Sequence, residues 1–178
     1  MKASIVGVAV GSFALGALLT LTAGDVLARS AAPAKPSVYT DARYNFTISP
    51  PNYPKGEKDT SGLSASFFGP GKKGFAPNLG IMIQNVAMSA QDYADLSNGQ
   101  FKEAGFKVVS QTDKKVSGRD AILWEYEGKA QNRELTFYGL AVCDKERIYL
   151  ITATAPKSEW DTLGPELKAS IDSFSLGE

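Results

Sequence analysis

Two apolar runs in the C-terminal half constrain the fold of this chain more than any other feature. Residues 135–142 (Leu-Thr-Phe-Tyr-Gly-Leu-Ala-Val) and 148–154 (Ile-Tyr-Leu-Ile-Thr-Ala-Thr) are almost continuously apolar, and Asp144-Lys145-Glu146 lies between them. A connection this short joins antiparallel neighbours in a hairpin. Strands that lack polar alternation are typical of positions covered on both faces of a sheet. We therefore predict that these strands form the centre of an antiparallel sheet with further layers on both sides.

Shorter strands and two helices are predicted around this hairpin. Helices are predicted from Ser89, which with Asp92 resembles a capping box, to Gly105, and from Ser158 to Phe174. Short or alternating apolar runs, bounded by turn residues, predict further strands over residues 44–49, 63–68, 79–84, 106–110 and 121–127. This order predicts an α+β fold, an antiparallel β-sheet sandwiched by helices.

The first 36 residues have the composition of an export segment. Lys2 precedes an uncharged apolar run over residues 5–21, and small residues follow it. These are the parts of a secretory signal, with cleavage after Ala28 or Ala32. The run also reaches the lower length limit of a membrane-spanning helix, so a retained anchor is the alternative.

The predicted organisation has three parts. Residues 1–28 are a signal peptide or membrane anchor, residues 29–37 a Pro/Ala linker, and residues 38–178 one α+β domain. The expected location is exported: periplasmic, extracellular, at the outer face of a membrane, or in a lumen if the source is phototrophic. Membrane association through the N-terminal segment is expected if that segment is uncleaved.

Composition excludes several classes of function. Lys plus Arg equals Asp plus Glu at 19 each, with the signs interspersed, so no nucleic-acid surface is predicted. The chain has no histidine, which removes the usual general base and the commonest metal ligand. Cys143, the single cysteine, is predicted to be a small buried hydrophobe in a strand. We expect no catalytic residues, no metal, no cofactor and no enzymatic activity.

One loop is a candidate for partner contact. Residues 69–78 (Gly-Pro-Gly-Lys-Lys-Gly-Phe-Ala-Pro-Asn) are rich in glycine and proline. The spacing does not match a phosphate-binding P-loop, and a plain hairpin connection is the simpler interpretation. Because loops on rigid scaffolds often carry binding residues, the predicted contact residues are Lys72, Lys73, Phe75 and Asn78.

An acidic pair is the second candidate site. Glu125 and Glu127 are spaced two apart in a predicted strand and so point to one face. Paired carboxylates can bind calcium or act as acid and base. Their alternation with aromatic residues favours a simpler interpretation, the solvent side of a half-buried strand, with Lys129 or Arg133 as ion-pair partners.

An aromatic set is the third candidate. Aromatic side chains can line a pocket for an apolar ligand, although core packing also accounts for the inward-facing ones. The set comprises Trp124, Tyr126, Phe137, Tyr138, Tyr149 and Trp160.

The chain resembles the PsbP-like proteins, relatives of the extrinsic PsbP subunit of photosystem II, over about residues 38–176. The resemblance rests on five strings of residues, 44–50 (Tyr-Asn-Phe-Thr-Ile-Ser-Pro), 74–78 (Gly-Phe-Ala-Pro-Asn), 116–121 (Val-Ser-Gly-Arg-Asp-Ala), 124–128 (Trp-Glu-Tyr-Glu-Gly) and 152–156 (Thr-Ala-Thr-Ala-Pro). It implies an antiparallel sheet between helices and a non-catalytic role. Plant members bind the lumenal face of photosystem II and assist calcium and chloride retention. No functional residue is transferred.

These observations favour a non-enzymatic extracytoplasmic binding or assembly domain that contacts a membrane protein complex. A small apolar-ligand carrier in the envelope is the alternative, as is a photosystem II-associated factor if the source is phototrophic. A hydrolase that uses Glu125 and Glu127 ranks below these.

Overall fold

The computed structural model describes residues 37–56, 62–72 and 74–177. The predicted signal or anchor segment lies outside the described residues. The elements are β1 Tyr39–Asp41, β2 Phe46–Ile48, β3 Ala65–Phe68, β4 Asn78–Gln84, α1 Ala90–Glu103, β5 Lys107–Val116, β6 Arg119–Ala130, β7 Arg133–Asp144, β8 Arg147–Pro156, α2 Trp160–Asp172 and β9 Ser175–Leu176. A 3₁₀ turn, Lys157–Glu159, precedes α2.

The described strands form two antiparallel sheets. The large sheet has the order β3-β4-β8-β7-β6-β5, and the small sheet has the order β1-β2-β9. The predicted central hairpin is confirmed, since β7 and β8 occupy the middle of the large sheet, with Leu140 opposite Ile151. Tight turns join each of the strands β5, β6 and β7 to the strand that follows it in the chain. Positive φ values at Ser117, Gly118, Gln131 and Asn132 match the primed turns that hairpins favour.

The large sheet separates two hydrophobic cores, so the predicted sandwich of sheet and helices is confirmed. On one face, α2 and the small sheet cover residues such as Leu79, Val142 and Ile151. On the other face, α1 covers Trp124, Tyr126 and Phe137, among others. Because neighbouring side chains of a strand point to opposite faces, continuous apolar runs in β7 and β8 supply both cores.

The small sheet was not predicted, and it replaces the single strand predicted over residues 44–49. The Asp41 Oδ1 atom accepts the backbone N–H groups of Arg43 and Tyr44 at 3.0 and 3.1 Å, which turns the chain before β2. The resulting hairpin pairs Tyr39 with Ile48 and Asp41 with Phe46. Strand β9 then pairs with β2 from the other side.

Helix α1 begins as predicted at the Ser89 cap. The Ser89 Oγ atom accepts the Asp92 N–H at 3.1 Å and lies 2.7 Å from Asp92 Oδ2. After the helix, Gly105 has a φ of +75°, a left-handed conformation that suits glycine.

Two boundary predictions were wrong. Helix α2 begins at Trp160 without a side-chain cap, rather than at Ser158, because the chain first makes the 3₁₀ turn. Strand β5 continues from Lys107 to Val116 instead of ending at residue 110. Its second half is a polar edge strand, so it lacks the apolar alternation that marks a half-buried strand. Neither helix of the described chain combines the length and apolar character needed to cross a bilayer.

Candidate functional site

The acidic pair on β6 lies beneath α2 rather than facing open solvent. Lys168 Nζ on α2 lies 2.6 Å from Glu125 Oε2, and Trp160 Nε1 donates to Glu125 Oε1 at 3.0 Å. Lys157 Nζ in the 3₁₀ turn lies 2.6 Å from Glu127 Oε2. We call these five residues the α2 ion-pair cluster.

This arrangement corrects the prediction for Glu125 and Glu127. Their partners are Lys168 and Lys157, and not Lys129 or Arg133, because α2 crosses this face of the sheet. Hydrogen bonding to Glu127 raises the pKa of the exposed Lys157 ammonium.

The cluster has the chemistry of a structural contact. Each carboxylate is neutralised by its own lysine, and Glu125 also accepts the Trp160 indole N–H. A calcium site or an acid–base pair needs carboxylates that are open to a cation or substrate. Within the described ranges, no group of three or more acidic or cysteine side chains lies close enough together to hold a metal ion.

The described residues of the predicted partner-contact loop lie in different environments, some exposed and some buried. Lys72 is exposed and pairs with Glu159 at 3.5 Å, whereas the Phe75 side chain is buried in the α1-side core. Asn78 is buried at the start of β4, and its amide donates to the Ala76 carbonyl at 3.0 Å. Lys73 lies outside the described residues. Of the predicted contact residues that are described, only Lys72 has an exposed side chain.

The predicted aromatic set does not surround a common pocket in the described structure. Trp124, Tyr126 and Phe137 belong to the α1-side core, where the Tyr126 and Phe137 rings stack at 4.7 Å. The other members, Tyr138, Tyr149 and Trp160, lie on the opposite face of the sheet.

Cys143 lies half-buried on β7 beside the α1-side core. Burial, with a smaller effect from Asp120, raises the pKa of its thiol to about 11. A thiol with a raised pKa is a poor nucleophile near neutral pH. This fits the structural role predicted from the sequence, but the predicted burial is not complete, because the side chain is only half-buried.

A further group of residues, which the sequence did not reveal, lies beside the small sheet. Arg43 and Arg147 lie over the Tyr44 ring, with guanidinium carbons 5.0 and 5.8 Å from its centroid. Lys55 Nζ lies 4.4 Å from the centroid of the Tyr39 ring. We call Tyr39, Arg43, Tyr44, Lys55 and Arg147 the tyrosine–cation patch.

The tyrosines of this patch are fixed by the fold. The Tyr39 ring packs edge-on against Phe67 at 5.7 Å. The Tyr44 backbone carbonyl accepts the Tyr149 hydroxyl at 3.0 Å. An open polar cleft of about 220 Å³ adjoins the patch. Its lining residues are Asp41, Arg43, Tyr44, Gly62, Leu63, Ser64 and Ile83.

One antiparallel sheet with a helix and a hydrophobic core on each face defines an α/β/α sandwich domain. Residues 37–176 match the model of the PsbP family. The chain therefore belongs to the PsbP family, as the resemblance in its sequence implied. No curated protein sequence matches the chain significantly.

Solved structures with the same fold come from diverse bacteria. The solution structure of CyanoP from Synechocystis sp. PCC 6803 is 14% identical, with a TM-score of 0.56 over 85% of this chain and 99% of that one. LpqN of Mycobacterium tuberculosis, described as involved in cell envelope biogenesis, is 11% identical, with a TM-score of 0.56 over 84% and 88%. PA94 from Pseudomonas aeruginosa, of unknown function, is 15% identical, with a TM-score of 0.55 over 77% and 94%. At these identities the likeness shows the fold alone.

Proposed function

We propose that this chain is a non-catalytic binding domain that acts outside the cytoplasm, at the outer face of a membrane, where it contacts a protein complex. One observation carries the proposal: a PsbP-family domain over residues 37–176 follows a segment with the composition of an export signal. The fold neighbour LpqN, described as involved in cell envelope biogenesis, is consistent with this location.

The geometry of the candidate sites supports binding over catalysis. The paired carboxylates that motivated a hydrolase are each engaged by a lysine. The chain has no histidine to act as a base near neutral pH. The aromatic residues that motivated a ligand carrier pack against one another in two separate cores.

Export is tested first, with the full chain fused at its C-terminus to alkaline phosphatase, which is active only outside the cytoplasm. We expect an active fusion, and an inactive one when two residues of the apolar run, Leu15 and Leu18, are both replaced by Arg. Equal activity of the two fusions would contradict the export step.

Partner contact is tested by site-specific photo-crosslinking in cells of the source organism. A photoreactive residue replaces Lys72, in the turn before β4, or Glu146, in the turn at the opposite end of the sheet. Both positions are exposed, so they form a matched pair.

We expect Lys72 to give a discrete crosslinked envelope protein and Glu146 to give none. If both positions, and further exposed positions on each helix, give no discrete product, the proposed protein contact is wrong. A discrete product at Glu146 alone would place the contact at the other end of the domain and overturn the role of Lys72.

A further inference from the structure

We propose that the tyrosine–cation patch docks this domain onto the anionic headgroups of a phospholipid bilayer. The inference rests on the proposed function, because it requires the domain to act at the outer face of a membrane. It deepens that function by naming the surface that faces the bilayer and the lipid chemistry that the surface recognises.

The cations of the patch are available to phosphate groups. Arg43, Lys55 and Arg147 form no ion pair with another described residue, unlike Lys114, Lys157 and the other cations of the described ion pairs. A cation stacked on a phenol ring keeps its full charge and its outward N–H donors. The patch therefore presents three positive charges in a fixed arrangement.

Acidic neighbours offset this charge in part. Asp41 belongs to the same surface, but its Oδ1 atom already accepts two backbone N–H groups of the β1–β2 turn. Three cations and one carboxylate leave a net charge of +2 for this set. Such a surface is attracted electrostatically to an anionic leaflet but has no net electrostatic attraction to a zwitterionic one.

The apolar members of the surface suit the boundary between water and lipid. Tyrosine is enriched at membrane interfaces because its ring is apolar and its hydroxyl is polar. Val38, directly before Tyr39, is 60% exposed. The other exposed large hydrophobic residue of the described chain is Val109, on β5 at the far edge of the large sheet.

The position of the patch in the chain favours a bilayer as the occupant. The apolar run ends at residue 21, and the described domain begins at residue 37. The fifteen residues between them, 22–36, span at most about 54 Å when fully extended. If the run is anchored in the membrane, this linker enters the domain two residues before Tyr39, so the patch is the part of the domain nearest to the tether.

The cleft beside the patch adds room for polar headgroup atoms. Its volume of about 220 Å³ is well above the roughly 10–15 Å³ that a single water molecule needs. Arg43, Ser64 and Asp41 are among the residues that line this cleft. A headgroup can therefore enter beside Arg43 rather than only touch a flat surface.

The test uses the full chain reconstituted through its N-terminal segment into nanodiscs. These contain phosphatidylcholine alone or with about 30% phosphatidylglycerol, and a trace of lipid with a spin-labelled headgroup. In a Cys143→Ser background, a fluorophore is attached at Thr40→Cys, on β1, or at Glu134→Cys, at the opposite end of the molecule. Both positions are exposed. Docking is read as quenching of the fluorophore by the spin label.

We expect the Thr40 fluorophore to be quenched several-fold more in the anionic nanodiscs than in the zwitterionic ones, and the Glu134 fluorophore to show no such difference. Because each basic residue strengthens attraction to an anionic leaflet roughly fivefold, the triple variant R43Q/K55Q/R147Q should weaken docking on the order of 100-fold. It should also remove the lipid dependence of quenching.

A charge-matched control separates the patch from overall charge. The variant K102Q/K107Q/K129Q removes three exposed lysines that also lack an ion pair with a described residue, at the far end of the domain. In this control variant, the fluorophore at Thr40→Cys should be quenched to the same extent as in the parent chain. Equal loss in the two triple variants, or equal quenching at Thr40 and Glu134, would overturn the proposal.

If export removes the N-terminal segment, the same variants are compared by sedimentation of the mature chain with vesicles of the two compositions. In this experiment, equal binding to vesicles with and without phosphatidylglycerol would overturn the inference. Because this test contains lipid and no partner protein, its failure is distinct from a failure of the crosslinking experiment, and either result can occur without the other.

Discussion

At the scale of single residues, Gly128 shows how closely the loop after α1 covers β6. A Cβ atom built at this position would overlap the Phe106 ring, which packs against Phe137 at a centroid distance of 5.3 Å. We predict that Gly128→Ala lowers the free energy of unfolding by about 1–3 kcal/mol, because the aromatic core must shift to accept the methyl group. Urea-induced unfolding measures this loss.

Gly99 provides the matched control for Gly128. It lies inside α1, and a Cβ there would meet no atom within 4 Å. Because glycine is a poor helix former, Gly99→Ala should stabilise the protein by up to about 1 kcal/mol. A glycine-to-alanine substitution should therefore shift the midpoint of urea-induced unfolding down at Gly128 and up at Gly99. A loss of similar size at both would show that the Phe106 contact is not the cause.

At the scale of elements, ion pairs of equal length differ in their surroundings. The Lys168–Glu125 and Lys115–Asp120 pairs both measure 2.6 Å. The first fastens α2 to β6 with side chains 36% and 20% exposed, whereas those of the second are 66% and 68% exposed. Burial reduces screening by water, so the first pair should contribute more to stability.

Double-mutant cycles on the free energy of unfolding test this difference. Replacement of each charged residue by glutamine, singly and together, should give a coupling energy of about 1 kcal/mol for Lys168–Glu125 and below about 0.5 kcal/mol for Lys115–Asp120. High salt should reduce the second coupling more than the first. Equal couplings would contradict the expected effect of burial on the Lys168–Glu125 pair.

The elements that could be predicted are those whose burial leaves a clear apolar pattern in the sequence, either continuous or alternating. The central hairpin, β7 and β8, is apolar along its length because both faces are covered. The predicted strand over residues 106–110 was too short, because β5 is an edge strand and most of its side chains are exposed. Strands β1 and β9 have three and two residues, too few to show a period, and they exist because β2 lies between them.

At the scale of the whole molecule, the small sheet joins the two ends of the domain. Strand β9 pairs with β2, and its Leu176 and the preceding Phe174 are buried in the α2-side core. We predict that truncation after Ser173 lowers the free energy of unfolding by at least about 3 kcal/mol, since it removes a buried aromatic side chain. Chemical denaturation of the truncated chain gives this value.

The milder variant Phe174→Leu keeps the test meaningful if the truncated chain does not fold. This variant retains β9. It should lower the free energy of unfolding by less than the truncation does, because only part of the packing of the Phe174 ring is lost. A truncated chain as stable as the parent would show that the small sheet contributes little to the domain.

The candidate sites could be predicted from the sequence only in part, for reasons of distance along the chain. The face shared by Glu125 and Glu127 followed from their spacing, but their partners, Lys157 in the 3₁₀ turn and Lys168 on α2, lie 30 and 43 positions away. The tyrosine–cation patch joins Arg147 to residues 39–55. Such a group has no sequence spacing to detect, because sheet pairing brings its members together.

The edge position of β1 has a mechanical consequence. Within the described chain β1 pairs only with β2, and the open end of this hairpin faces the N-terminus. A pulling force at residue 37 would therefore separate Tyr39 from Ile48 first, then Thr40 from Thr47, then Asp41 from Phe46, one pair after another. Release of three residues yields about 10 Å of chain. A tethered domain would thus absorb a small displacement by giving up β1 and the Tyr39–Phe67 contact, while the strand pairing of the six-stranded sheet stays intact.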